Sequence, residues 1–167
     1  MNKAKGFTLI ELIIVIVILG ILAVTATPKL LGISADAKIG ALNGLSASIK
    51  ATVKTVEMKA VLKGLKKTSV NPEGRQEDYI IDFGFAKTEV YYGNLCPESS
   101  SELNQEVSFF EFMNLSVGDD IITEVDNQYA AIGYEIPADR SVVKGCYVLY
   151  DSFAEPNCTV TVVDVDC

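Results

Sequence analysis

Histidine and tryptophan are absent from this chain of 167 residues, and only four cysteines are present. Without histidine there is no Ser/His or Cys/His pair to carry nucleophilic catalysis. There is no Walker loop either, and no CxxC spacing of the kind that binds zinc. The sequence therefore contains no catalytic constellation, and we expect neither an enzyme nor a bound cofactor or metal.

The few cysteines are all confined to the last 72 residues. An even number in one part of a chain is typical of disulfides formed in an oxidising compartment. A zinc site would need ligands scattered across this whole region, so two disulfides are the better interpretation. Three pairings are open at this point among Cys96, Cys146, Cys158 and Cys167.

Charge is distributed very unevenly along the chain. Residues 1–67 carry ten lysines and three acids, a balance of +7, whereas residues 68–167 carry four basic residues and nineteen acids, a balance of −15; together they make the −8 of the whole chain. Phosphates would be repelled by the acidic part, so we expect no nucleic acid partner. A solvated surface is the better use of that charge.

One long apolar run, Phe7 to Thr27, holds 21 residues with a single ionisable side chain, Glu11. As a helix it measures about 31 Å at about 1.5 Å per residue, which matches a hydrocarbon core of about 30 Å. The run predicts a membrane-spanning segment. A secretory signal cleaved before Thr27 is the alternative, but the run is too long for one and contains a carboxylate.

Beyond Pro28 the apolar residues recur at intervals of three and four, which indicates an amphipathic helix. We expect this second half to pack on a globular head while the first half protrudes, and Gly64 to end the helix. The predicted apolar stripe consists of Ile39, Leu42, Leu45, Ile49, Val53, Val56 and Ala60.

After a polar loop at residues 69–77, short runs rich in aromatic and β-branched residues predict strands. Ser99 with Glu102 resembles a capping box ahead of a short helix. Strands after one long helix indicate an α+β fold, with an antiparallel sheet laid on the helix stripe. The predicted strands are Tyr79–Phe85, Ile121–Val125, Tyr129–Ile136, Val142–Tyr150 and Cys158–Val165.

The junction before the apolar run reads GFTLIEL, from Gly6 to Leu12, after a short leader with two lysines and no acid. It resembles the type III signal of type IV prepilins. The resemblance implies that residues 1–6 are a leader removed after Gly6 by prepilin peptidase, and that Phe7 becomes the N-methylated first residue. Residues 7–28 would then be the membrane and assembly half of the helix, and residues 29–167 the head.

On that resemblance Glu11 has a physical role in assembly. Cleavage creates a positive amine at Phe7, and the carboxylate lies about 6 Å deeper along the helix. In a bundle of staggered identical helices, the amine of an incoming subunit can meet the Glu11 carboxylate of its neighbour. A carboxylate stabilised by the positive end of its own helix is a simpler reading, and the two are compatible.

Gly20 and Pro28 both weaken the predicted helix. Pro28 cannot donate a hydrogen bond to the carbonyl of Val24, and glycine lowers helix propensity by about 1 kcal/mol relative to alanine. In the pilins that this chain resembles, the matching positions bound a segment that loses helicity on polymerisation. A kinked membrane helix is the plainer interpretation.

Longer stretches, ILGILAVTATPKLLGISADAK from Ile18, IDFGF from Ile81 and CYVLY from Cys146, are similar to mannose-sensitive haemagglutinin (MSHA) type pilins. That resemblance implies a bond between Cys146 and Cys167, leaving Cys96 for Cys158.

Together these resemblances imply a precursor in the inner membrane. Pilus assembly machinery would polymerise many copies of it into an extracellular filament, which would attach to surfaces or cells. A pseudopilin of a type II secretion system is the alternative, and a secreted disulfide-bonded binding domain a more distant one.

Overall fold

The structure, a computed structural model, describes residues 8–72, 74–101, 108–115 and 118–167; for residues 23–33 it describes only the course of the helix. The chain separates into two compact units, Met1–Ala37 and Lys38–Cys167, and we call the second the head unit. The elements in chain order are α1 (Leu9–Leu62), a 3₁₀ turn (Gln76–Tyr79), β1 (Ile80–Asp82), β2 (Lys87–Glu89), α2 (Phe109–Phe112), β3 (Ile122–Val125), β4 (Tyr129–Glu135), β5 (Cys146–Asp151) and β6 (Thr159–Val163).

Within the head unit, α1 buries the stripe that the sequence predicts. Leu42, Ile49 and Val53 are buried in one apolar cluster with residues of the sheet, and Val56 and Ala60 are buried in a second cluster with the hairpin β1–β2. The intervening positions, such as Lys50 and Lys54, are exposed. The 3.6-residue period of the apolar side chains therefore places one face of the helix in the core.

The end of α1 is set by Gly64, as predicted. Gly64 has φ +90°, a left-handed conformation that glycine adopts without a Cβ clash. Its N–H donates to Val61 O at 2.9 Å, and Leu65 N–H donates to Ala60 O at 3.1 Å. This is the Schellman arrangement, which satisfies the last carbonyls of a helix. Leu65 packs on the cluster that contains Ala60, so the turn is also held by apolar contact.

A four-stranded antiparallel sheet in the order β3-β4-β5-β6 covers the helix stripe, and β1 and β2 form a separate hairpin. Each strand follows its neighbour in sequence, with Ala131 opposite Leu149 and Leu149 opposite Thr161. One face of β5 carries Val148 and Tyr150 into the helix cluster, and the other carries Tyr147 into a third cluster. The predicted α+β fold with an antiparallel sheet is confirmed.

Several predictions of local structure need correction. Of the predicted strand Tyr79–Phe85 only Ile80–Asp82 is strand, because the chain turns at Gly84, which has φ +86°. Strand β2 was not predicted because Lys87, Thr88 and Glu89 are polar; the strand exists because the turn after β1 returns the chain antiparallel to it. The segment Val142–Gly145 is not strand, and β5 begins only at Cys146.

The short helix α2 exists, but Ser99 does not cap it. The hydroxyl of Ser99 donates to Gln128 O at 2.9 Å, and the cap is formed by Ser108 and Glu111. Glu102, the expected partner of Ser99, lies outside the described residues. A serine in a sequence pattern typical of a helix cap can thus form a tertiary hydrogen bond instead.

Within the described residues, no helix combines the length and the apolar character needed to cross a membrane.

Candidate functional site

At the start of helix α1, Thr8 and Glu11 form reciprocal hydrogen bonds. The backbone N–H of Thr8 donates to Glu11 Oε2 at 2.8 Å, and the Thr8 hydroxyl donates to the same oxygen at 2.7 Å. In return, Glu11 N–H donates to Thr8 Oγ1 at 3.4 Å. This is a capping box, in which the third helical residue reaches back to the residue before the helix. The pattern T-x-x-E in the sequence is the signal for this cap, although Thr8 was not among the predicted site residues.

The capping box gives Glu11 a defined orientation. Both hydrogen bonds that it accepts end on Oε2, and within the described part of the chain Oε1 accepts none. The carboxylate also lies in the first turn, where the unpaired N–H groups of the helix favour negative charge. The carboxylate therefore caps its own helix through Oε2, and its Oε1 is left for a further donor.

Around Glu11 the surface of α1 is apolar on every side. From Leu9 to Leu22 every side chain is exposed, and the least exposed large apolar one, Ile13, keeps 45% of its surface. A helix that is apolar all round is normally buried in a larger apolar environment. Exposed apolar surface of this extent marks an interaction site rather than a solvated face.

The other residues predicted for assembly are only partly described. Gly6 and Phe7 lie outside the described residues. Gly20 lies in α1, and a Cβ added there would meet nothing within 4 Å. The helix also runs through Pro28, whose side chain is not described. Loss of helicity between Gly20 and Pro28 on polymerisation stays a prediction.

Two disulfides join Cys96 to Cys158 and Cys146 to Cys167, the pairs that the family resemblance implied. The first closes 62 residues and fastens the loop after β2 to the start of β6; the second closes 21 residues and fastens the end of the chain to β5. Each contributes about 2–4 kcal/mol in the usual range. Both hold the sheet that covers the helix stripe.

Glu57 lies beside the first disulfide, with its Oε1 3.5 Å from Cys96 Sγ. Carboxylate and cysteine sulfur atoms at this spacing could hold a metal ion in principle. However, metal ligation by cysteine requires the thiolate, and both sulfur atoms here are bonded to each other. The group is therefore structural while the disulfide is intact.

An arginine fixes the loop between β4 and β5. Arg140 pairs with Asp126, lies 3.7 Å from Glu124 and stacks over the ring of Tyr129 at 5.5 Å. Partial burial raises the pKa of Asp126, but hydrogen bonds from Tyr129 N–H, Arg140 and Gln128 N–H outweigh it and hold the pKa below its ordinary value. The cluster stabilises the fold, and both Glu124 and Asp126 are already paired with Arg140.

Comparison with known proteins places the first segment in a recognised class. Residues 1–27 match the family of the prokaryotic N-terminal methylation motif. The chain is also similar to the type IV narrow pilus major component PilA5 of Thermus thermophilus, with 38% identity over 74 residues. That alignment covers 43% of this chain and 63% of the relative, so the chain spans less than two thirds of the relative's length. No solved structure matches the chain significantly. Over part of its length the chain is thus similar to a methylation-motif family and to a pilus component.

Proposed function

We propose that this chain is a structural subunit of a type IV pilus of the MSHA kind, polymerised into a surface filament for attachment to surfaces or cells, and that it has no catalytic role. The observation that carries the proposal is the methylation motif over residues 1–27, continuous with a helix whose first turn holds a lone carboxylate in a capping box. The similarity to a pilus major component supports the filament over other uses of the same motif.

Maturation begins at the leader, residues 1–6. Prepilin peptidase cuts between Gly6 and Phe7 and methylates the new amine of Phe7. Until then residues 7–28 hold the precursor in the inner membrane, with residues 29–167 on its outer side. The sequence supports this placement through the length of the apolar run and through the disulfides, which form in an oxidising compartment.

Assembly follows from the two charges at the start of the helix. Glu11 Oε2 is bonded to Thr8, so the side chain is oriented before any partner arrives. Its Oε1 accepts a hydrogen bond from the Phe7 amine of an incoming subunit. This ion pair sets the axial register of the two helices. Removing one member of such a desolvated pair leaves an unpaired charge, at a cost of about 3–5 kcal/mol.

The apolar surface of the first helical segment supplies the cohesion. Its side chains from Leu9 to Leu22 are exposed within one chain, and copies of the same helix would cover them in a bundle. Because each copy offers the front of its helix to the flank of another, the contact is heterologous and repeats without closing. A filament is the expected product, put together by the pilus assembly machinery.

The amino terminus of the mature protein tests the proposal. We expect filaments sheared from cells that express the full chain to contain a protein that starts at Phe7 and carries one extra methyl group, measured by intact-mass and peptide mass spectrometry. Gly6→Val should accumulate as uncut precursor without filaments, whereas the matched change Gly40→Val, at an open helical position, should be processed normally. A mature protein that starts at Thr27, or filaments that retain the leader, would contradict the proposal.

Electron microscopy of the same cells separates a pilus from a secretion pseudopilus. Long surface filaments made of this chain are expected at ordinary expression. If filaments are absent while secretion of other proteins depends on the chain, the pseudopilin is the correct reading.

A further inference from the structure

The head unit has an apolar groove beside the last turns of α1, which we call the helix-end groove. It has a volume of about 490 Å³. Its apolar wall consists of Met58, Val61 and Leu62, which are 51%, 61% and 87% exposed. The opposite wall is firm, because the buried Asn94 side chain donates to Ser152 O and Ala154 O. A rigid apolar concavity with this exposure is suited to a protruding apolar side chain.

Two lysines flank the groove. Lys67 Nζ donates to Asn157 Oδ1 at 2.7 Å and to Pro156 O at 3.3 Å, so its ammonium is positioned by neutral acceptors and one donor is left over. Lys54 Nζ is 3.2 Å from Glu57 Oε2 and its side chain is 71% exposed. Glu57 also lines the groove and pairs with Lys54, so the ammonium without a carboxylate partner, in the part of the chain that the structure describes, is that of Lys67. The groove would therefore favour an occupant with a carboxylate beside its apolar side chain, placed on the Lys67 side.

One exposed segment of the head unit has that composition. Val165 is 62% exposed and stands between Asp164 and Asp166, and neither aspartate pairs with a lysine or arginine among the described residues. We call Asp164–Asp166 the acidic knob.

The acidic knob is held firmly in place. Asp166 N–H donates to Gly145 O at 3.0 Å, Asp166 Oδ2 accepts from Gly145 N–H, and the next residue, Cys167, is bonded to Cys146. A segment that is already ordered loses little entropy when it binds.

The groove and the knob lie at opposite ends of the head unit. Lys38 is the first residue of the head unit and lies in α1. Its Nζ donates to Cys167 O at 3.5 Å, so the knob lies at this end of the head unit. Met58 in the groove is about 30 Å further along α1 at about 1.5 Å per residue. Strand β6 runs between the same two ends, from the Cys96–Cys158 disulfide beside Glu57 to the knob. A chain cannot place its own knob in its own groove, so a knob that fills the groove belongs to a second copy.

Other exposed apolar segments fit the groove less well. Val142 and Val143 lie between Arg140 and Lys144, whose charges the groove lysines would repel. Val125 also stands between two acids, but both are occupied by Arg140.

We propose that the helix-end groove of one copy receives the acidic knob of a second copy, with Val165 against Met58 and Leu62 and Asp164 beside Lys67. This inference rests on the proposed filament, and it adds a head-to-head contact to the helix bundle. Since the two surfaces lie at opposite ends of one unit, the contact repeats along a line with an axial step of about 30 Å.

Photo-cross-linking in intact filaments tests the contact directly. The full chain with p-benzoylphenylalanine in place of Leu62 should cross-link on irradiation to residues 164–166 of another copy, identified by mass spectrometry of the covalent dimer. The same probe in place of Val70, which is 70% exposed but lies outside the groove, should give no such product. Cross-links to the loop around Val142 or to another protein, or none between copies, would overturn the inference.

A charge exchange provides the second test. Asp164→Lys and Lys67→Glu, each alone, should lower the amount of filament by about fivefold, the factor that corresponds to about 1 kcal/mol for an exposed charge pair. The double variant should recover more than half of the wild-type amount. Asp119→Lys, which makes the same charge change at an exposed site outside the knob, should have no effect.

Single variants that assemble normally would contradict the contact, and so would a double variant with no recovery although its head unfolds at the wild-type temperature. Absence of filaments from the unmodified chain would instead overturn the pilus proposal itself, and the contact with it.

Discussion

Two regions of the same helix differ in how their apolar side chains are covered. In Leu9–Leu22 these side chains are exposed on all sides, whereas in the head unit the helix exposes lysines and buries one stripe, with Leu42, Ile49 and Val56 at 0% exposure. Both regions form regular helix, so helix formation alone does not distinguish them. The difference shows that the second region has its cover within its own chain, while the first needs a cover from outside it.

The largest effect is expected from a change that removes the charge of Glu11 and keeps its cap. Glu11→Gln can still bond Thr8, as glutamine does in capping boxes, but it cannot pair with the amine of Phe7. We expect at least about 100-fold less filament, since about 3–5 kcal/mol is lost when a desolvated pair is broken. Filament mass in sheared fractions, with cleavage at Gly6 verified, measures the effect.

The matched control is Glu111→Gln, which makes the same change in the capping box at Ser108 of the head unit and should leave assembly intact. Thr8→Val, which removes the hydroxyl and keeps the charge, should cause a smaller loss of about fivefold, the value of about 1 kcal/mol for a cap. Normal filaments from Glu11→Gln would show that the carboxylate acts only within its own helix.

A pair of isoleucine truncations compares the two regions directly. Ile49→Ala opens a cavity at a fully buried site and should lower the free energy of unfolding by about 2–5 kcal/mol. Ile13→Ala, at a site that is 45% exposed, should leave the unfolding of the detergent-solubilised chain unchanged and reduce the amount of filament. Near-ultraviolet circular dichroism during thermal unfolding measures the first effect. Equal destabilisation by both changes would mean that the first region is also covered within its own chain.

The smallest expected effect is a pH-dependent change in the stability of the head unit. Because the folded-state pKa of Asp126 lies below its ordinary value of 3.8, the carboxylate stabilises the fold above that value and loses this contribution as pH falls through the folded-state pKa. Asp126→Asn should lower the free energy of unfolding by less than about 1 kcal/mol at pH 7, because the pair with Arg140 is partly exposed.

The difference between this variant and the wild type should disappear below the folded-state pKa of Asp126. Urea titrations at pH 7 and at a series of lower pH values give the comparison, with Asp119→Asn as the control. A difference that stays constant throughout the acid range would assign the effect to packing.

The periodicity of the helix and its terminator were predictable because both depend on residues close together in the chain. The stripe from Ile39 to Ala60 needs only a period of 3.6, and the turn at Gly64 needs only a residue that tolerates positive φ. Strand β2 could not be predicted, since Lys87 and Glu89 have no strand propensity and are placed by the hairpin. The predicted cap at Ser99 was wrong for the same reason, because the hydrogen-bond partner of Ser99 is Gln128, which is distant in sequence.

Composition and local order were enough to predict the region where disulfides form, the lone acid in an apolar helix, the family resemblance and the α+β class. All of these follow from composition, local order or period. The fold was needed to show that an apolar groove lies between α1 and the loop at Asn94, and that Val165 stands at the other end of the head unit. Such features depend on the three-dimensional path of the chain, because the atoms that form them are brought together by packing across the fold.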